Sequence, residues 1–299
     1  MIKVKNLRKV YKVGGEKVVA LNNISLHIEK GEFCCIVGTS GSGKSTLLNM
    51  LAGLEKPTKG AVKIAGQKIS AMSEKQLAVF RQNNIGFIFQ SYNLMPTLTA
   101  VENVAFPLMF QGIGKAAREK KARAILKEMG LAARMEHKPG ELSGGQQQRV
   151  GIARAFVGRP KVIFADEPTG NLDSATTEQV MEMLLEISRR NNITFVMVTH
   201  DPELAKRAKR IITLKDGSVI SDTRDGVSLL EEDLNVVIDE DDAQDQEVGT
   251  EDEDDEITPA EIKDVTSETY NTEQETDAML KNLSKQIKST QETACETVQ

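Results

Sequence analysis

Cysteine is scarce in this chain, with three in 299 residues. Cys34 and Cys35 are adjacent inside an apolar run, where neighbouring thiols cannot easily pair, and Cys295 stands alone. That usage excludes a disulfide framework and fits a reducing compartment. Long apolar runs are missing too. No window approaches about 18 consecutive apolar residues, so no segment reads as membrane-spanning. The opening stretch MIKVKNLRKVYKV lacks the apolar core of a signal peptide. If the task is transport, another chain must supply the channel. Tryptophan is absent and tyrosine occurs three times; Tyr11 is one.

What is present is charge, unevenly spread. The net charge of −6 conceals a body, residues 1–221, with 33 Lys+Arg against 19 Asp+Glu, and a remainder, 222–299, with 5 against 25. A balance of +14 is thus joined to one of −20. A basic body could mean nucleic acid. The stronger reading is an anionic nucleotide ligand and a cytoplasmic membrane partner, with no nucleic acid expected. The run Glu251 to Asp255 and on to Glu256 cannot pack and reads as solvated, so 223–299 is expected to be a largely disordered acidic tail. Within it Met279, Leu280, Leu283 and Ile287 fall at helical spacing among Lys281, Lys285 and Lys288. Those residues read first as a transiently helical piece of the tail, and second as a short amphipathic docking helix over 272–290.

The body reads as an α/β domain spanning 1–222. Ile2–Leu7 and Ile24–Ile28 alternate as half-buried strands. Phe33–Val37 is a continuous apolar run, as for a strand covered on both faces, and Val162–Asp166 and Phe195–His200 read as a second and a third buried strand. Residues 61–90 read as short strands, 91–160 as a helical insert with a basic helix at 115–129, and 174–190 as a further helix. Ile211–Ile220 reads as a hairpin turning at Asp216-Gly217. Alternating buried strands and helices imply a mostly parallel core.

Gly38-Thr39-Ser40-Gly41-Ser42-Gly43-Lys44-Ser45-Thr46 lies between a buried strand and a helix. Its glycines let the backbone curl so that successive N–H groups face phosphate oxygens, and the helix start adds positive potential. Lys44 should reach the β- and γ-phosphates and Ser45 should bind Mg²⁺. Asp166-Glu167 closes a second buried strand, at the end where α/β proteins hold ligands. There Asp166 would hold Mg²⁺ and Glu167 would act as general base on water. His200 ends a third such strand and would orient the γ-phosphate, whereas His27 and His137 read as solvated. Gln90 also ends an apolar strand and could ligand Mg²⁺ or position water. Tyr11 could stack on adenine or simply pack on its strand. Ser143-Gly144-Gly145-Gln146 opens another helix and forms a second anion site. One nucleotide has one γ-phosphate, so this site makes sense if it serves the ATP of another copy.

Over residues 1–222 the chain resembles the ATP-binding-cassette ATPases, a P-loop NTPase fold with a mostly parallel core sheet, an antiparallel β subdomain and a helical insert carrying the signature motif. The resemblance rests on GTSGSGKST as Walker A, Gln90 as the Q-loop, LSGGQ as the signature, VIFADE as Walker B, Asn171-Leu172-Asp173 as the D-loop and His200 as the switch histidine. Tyr11 matches the adenine-stacking aromatic. QSYNLMPTLTAVENVAFPLMFQG and ADEPTGNLDSATT look like the branch of lipoprotein-releasing, macrolide-exporting and antimicrobial-peptide-resistance ATPases. The resemblance implies ATP and Mg²⁺ as ligands, with Asp173 among the nucleotide-site residues. It also implies head-to-tail dimerisation with a second copy around two ATPs, and a separate integral-membrane permease at the cytoplasmic face of the membrane. A groove near Gln90 to Phe110, with Tyr92, Leu94, Met95, Phe106, Met109 and Phe110, would grip that partner. The same branch includes a cell-division relative that transmits force to control cell-wall hydrolysis. Soluble repair cassettes insert a long coiled coil between the two motifs, whereas Lys44 and Ser143 are 99 residues apart here. Translation cassettes come two per chain.

Overall fold

A computed structural model describes residues 1–229 of the chain. The expected tail helix over 272–290 lies outside the described residues, as does the tail beyond residue 229.

The chain opens with two long antiparallel strands, β1 (Ile2–Val13) and β2 (Glu16–Ile28), joined by Gly14-Gly15. Then come β3 (Phe33–Val37), α1 (Lys44–Leu51), β4 (Lys59–Ile64), β5 (Gln67–Lys68), α2 (Glu74–Asn84) and β6 (Ile85–Ile88). Three helices follow: α3 (Ala100–Phe110), α4 (Lys115–Glu128) and α5 (Gly144–Phe156). The remainder is β7 (Val162–Asp166), α6 (Ser174–Asn191), β8 (Thr194–Thr199), α7 (Pro202–Ala205), β9 (Arg210–Lys215), β10 (Ser218–Arg224) and β11 (Val227–Ser228).

Three expectations need correction. Residues 74–84 form a helix, not a strand. Ser73 accepts from the Gln76 N–H while the Gln76 side chain accepts from the Ser73 N–H, a capping box that starts α2, and Leu77 and Phe80 bury its inner side. The helical insert begins at Ala100, where Thr99 and Glu102 form a second capping box; 91–99 is irregular. His27, expected to be solvated, is half-buried, and its carbonyl accepts from Arg210.

The strands form two sheets. The antiparallel one runs β2-β1-β4-β5, and the larger one runs β11-β10-β9-β3-β8-β7-β6. Its five strands from β9 to β6 are mutually parallel. The hairpin from β9 to β10 turns at Asp216 and Gly217, both at positive φ, as a two-residue turn of this hand requires. Side chains of the central strands alternate between two cores. Cys34, Ile36, Phe164, Val196 and Val198 face α1, α2 and the antiparallel sheet. Cys35, Ile163, Ala165, Phe195 and Met197 face the insert and α6. The adjacent cysteines therefore point to opposite faces, and burial pushes the Cys35 thiol up to about 12. Each of the fully buried Ile, Val, Phe and Met side chains contributes about 1.5–3 kcal/mol over an exposed one.

Arg210 is the largest fully buried side chain. It donates to both carboxylate oxygens of Asp222 across the β9–β10 hairpin, at 2.9 and 2.7 Å, and to the His27 carbonyl of β2. Glu32 approaches the same guanidinium at 3.4 Å. Arg210 thus ties the β9–β10 hairpin to the antiparallel sheet. Arg210→Ala leaves Asp222 buried without its cation, and the expected loss of stability is about 3–5 kcal/mol. Denaturant unfolding checks this; a loss below about 1 kcal/mol would mean that the pair behaves like an exposed one.

Candidate active site

The parallel register gathers the site. Val37 lies beside Thr199, Asp166 beside Val198, and Ile88 beside Ala165, so β3, β8, β7 and β6 end along one edge. Gly38, His200 and Glu167 directly follow three of these ends, and Gln90 stands two residues past the fourth. An edge of this kind is where α/β sheets hold ligands.

The loop after β3 is closely confined. A Cβ on Gly38 would stand 2.3 Å from the Leu214 carbonyl, and one on Gly43 would stand 2.6 Å from the Ala20 carbonyl. Gly43 also needs a φ of +99°. The Gly217 N–H donates to the Ser42 carbonyl at 3.1 Å, so the turn after β9 supports the loop from behind. Lys44 Nζ donates to the Gly38 and Thr39 carbonyls, both at 2.8 Å, which fixes the ammonium over the loop it follows. An ammonium has three N–H donors, so it keeps one for a further anion. Ser42 Oγ is buried and has no hydrogen-bond partner among the described residues.

Ser45 Oγ donates to Asp166 Oδ1 at 3.3 Å, joining the start of α1 to the end of β7. Burial raises the Asp166 carboxyl above its ordinary range, with the Glu167 charge adding to the rise and the Ser45 hydrogen bond and Lys44 opposing it. A bound cation would reverse that burial penalty. Glu167 sits at φ +45°, in the left-handed region, and its N–H donates to the Val198 carbonyl at 3.0 Å. Its carboxylate oxygen Oε1 lies 2.9 Å from His200 Nδ1. His200 is 65% exposed at its side chain and Glu167 20%, so the imidazole forms the solvent-side wall of the carboxylate.

Gln90 is attached to the segment after β7. Asn171 Nδ2 donates to the Gln90 carbonyl at 2.9 Å, and the Gln90 amide packs where a side chain on Gly170 would be. Tyr11 lies near Thr46, its hydroxyl donating to Glu55 Oε2 at 2.7 Å and its ring 5.0 Å from Lys9 Nζ. Burial, followed by that Glu55 contact, raises the phenol above its ordinary range.

Two predicted groups stand on other elements. Ser143 is the N-cap of α5 and forms a capping box with Gln146, at 3.4 and 3.0 Å. Gly144 packs under the Tyr92 hydroxyl and Gly145 against Thr176. Asp173 is the N-cap of α6, accepting from the Thr176 N–H at 2.9 Å and its hydroxyl at 2.6 Å. Those bonds hold its carboxyl below the ordinary range. Sequence reading missed Arg154 and Gln148 of α5. Gln148 donates to the Pro168 carbonyl, next to Glu167. Gln148 lies in a run of polar residues and Arg154 in an apolar stretch of the helix, and no motif marks either.

The ABC transporter family profile matches residues 21–170. This chain belongs to the ABC transporter family. It is an ATP-binding-cassette ATPase. The cassette is 52% identical over 220 residues to the ABC transporter ATP-binding protein MJ1508 of Methanocaldococcus jannaschii, covering 74% of this chain and 98% of that one. It is 43% identical over 233 residues to the macrolide export ATP-binding/permease protein MacB of Rhodopirellula baltica, covering 77% of this chain but 34% of MacB. A solved dimeric structure of the cassette MJ0796 in a post-hydrolysis state, bound to ADP and Pi, superposes with a TM-score of 0.71 at 46% identity, covering 75% of this chain and 98% of that one. Among the described residues no helix is long and apolar enough to cross a membrane.

Proposed function

We propose that this cassette is the peripheral, cytoplasmic-face ATPase subunit of an exporter or extractor, acting on a lipoprotein, a peptide or an amphipathic drug through a separate permease. The observation that carries the hydrolytic part is the Glu167–His200 pair at 2.9 Å beside Asp166 and the Lys44 loop. The loop Gly38–Thr46 holds the phosphates of ATP, and Tyr11 stands at the adenine end. Ser45, Asp166 and Gln90 would hold Mg²⁺; when bound, the ion neutralises charge on the phosphate oxygens. Glu167 accepts a proton from the attacking water, and His200 keeps that carboxylate oriented.

Ser143–Gln146 and Asp173 complete the site of a second copy, so two chains close head to tail over two ATPs. The dimeric MJ0796 cassette supports this reading. The likeness to MacB supports export and an attached permease function. A groove of about 190 Å³, lined by Phe87, Phe89, Pro107 and Gln111 among others, suits a helix of that permease. Met109 and Phe110 stand exposed nearby at 43% and 59%. Leu94 instead packs against the core, and Tyr92 turns toward Gly144, so neither belongs to the groove.

The test is to express tagged Glu167→Gln in its own cell, lock it with ATP, solubilise membranes gently and identify what co-purifies. A polytopic membrane protein in stoichiometric amount is the expected result, and its extracytoplasmic domain separates solute export from force transmission. Recovery only in the soluble fraction, with ribosomes or nucleic acid, overturns the proposal.

A further inference from the structure

The segment after Gln90 is bent in an unusual way. Tyr92 and Asn93 are consecutive non-glycine residues at φ +61° and +48°. A tyrosine in the left-handed region costs about 1–3 kcal/mol and persists only where its surroundings enforce it. The enforcing group is Arg154, in the last turn of α5. Its guanidinium donates from Nη2 to the Tyr92 carbonyl at 2.8 Å and from Nη1 to the Asn93 carbonyl. Its plane lies over the Phe89 ring at 5.9 Å. At the other end of α5 the Tyr92 hydroxyl reaches the space above Gly144. One helix therefore bonds the segment at its C-terminal end and packs against it at its signature end. On the far side Asn171 holds the Gln90 carbonyl. Arg154 also lines the groove beside Phe89 and Pro107.

We propose that Arg154 is a positioning residue that locks the Gln90–Asn93 segment to α5, so that Gln90 and the Ser143–Gln146 motif move as one body when the cassettes close. Arg154 touches neither nucleotide nor water in this account. Its rigid two-donor fork captures two successive carbonyls, which the single ammonium of a lysine does not reproduce. Without the fork the two left-handed residues relax, Gln90 loses its fixed distance from α5, and closure places one motif correctly at the expense of the other. The inference rests on the reading of Gln90 as a residue of the ATP site.

The experiment is steady-state ATPase kinetics on the full chain, with Arg154→Lys, Gln90→Ala and the double variant, alongside thermal unfolding. For Arg154→Lys we expect kcat to fall about tenfold while KM for ATP and the melting temperature change little. Because Arg154 acts through Gln90, the double variant should be no slower than Gln90→Ala, a coupling of the size neighbouring residues show. Wild-type kcat in Arg154→Lys, or losses that multiply in the double variant, overturns the proposal. If Gln90→Ala itself hydrolyses at the parent rate, it is the reading of Gln90 that fails. Should Arg154→Lys not fold, Arg154→Gln replaces it: its amide carries one donor nitrogen and cannot span both carbonyls as the guanidinium fork does. The same selective loss of kcat is expected there, and an unchanged kcat counts against the lock.

Discussion

Glu167→Gln is expected to lower ATP turnover by about 10²- to 10⁴-fold, the contribution of a general base, while ATP binding stays at the parent level. The substitution is nearly isosteric. It keeps the N–H bond to the Val198 carbonyl and a side-chain oxygen for His200, so the 2.9 Å contact and the left-handed backbone at φ +45° survive. What it removes is the negative charge and the ability to take a proton. Stability should therefore move by less than about 0.5 kcal/mol, as for substitutions that leave packing intact. With hydrolysis blocked, ATP accumulates in the closed state, and size-exclusion chromatography should show an ATP-dependent dimer. Turnover equal to the parent would take the base role away from Glu167. Slow turnover without a dimer would leave the base in place and remove the shared site.

Ser143→Arg tests the shared site directly. Hydrolysis should fall by at least about 10²-fold, the scale seen when one donor to a developing anion is lost, while ATP binding by the monomer persists. A complication is that Ser143 also caps α5, and losing a cap costs about 0.5–2 kcal/mol. Ser143→Asp resolves it, because aspartate is as good a cap as serine but places negative charge where the reading requires phosphate. Both variants should lose hydrolysis, and only the arginine variant should lose stability. An active Ser143→Asp enzyme would show that the motif works as a helix start alone. ATPase rates, nucleotide titration and thermal unfolding separate these outcomes.

The parts of the fold that could be read in the sequence share a physical cause. Strands buried on both faces are apolar throughout, so β3, β7 and β8 announced themselves, and the residues after them became site candidates by position. Asp216-Gly217 announced its hairpin because few pairs tolerate two positive φ values. Helix α2 was legible only through its capping box. Its inner face is a few residues, Leu77 and Phe80 chief among them, and so sparse a face is easily mistaken for strand alternation. Arg210 and Asp222 carry no sequence signal, since nothing local shows that they face each other across a hairpin under β2. Arg154 was hidden for another reason. Its partners are main-chain carbonyls, which carry no side-chain signature at all.

The phosphate loop has a consequence for how the protein is made. Its strand, β3, pairs with β8 and β9, and its loop rests on the turn at Gly217. All three supports lie far downstream, with Gly217 173 residues after Lys44. At about 5–20 residues per second of translation, a ribosome has made Lys44 roughly 9–35 seconds before it makes Gly217. Until β8 is made, β3 has no neighbour on either edge. Nucleotide cannot nucleate the fold of the nascent chain, because the place it would occupy is assembled only after β8, β9 and the Gly217 turn have been made.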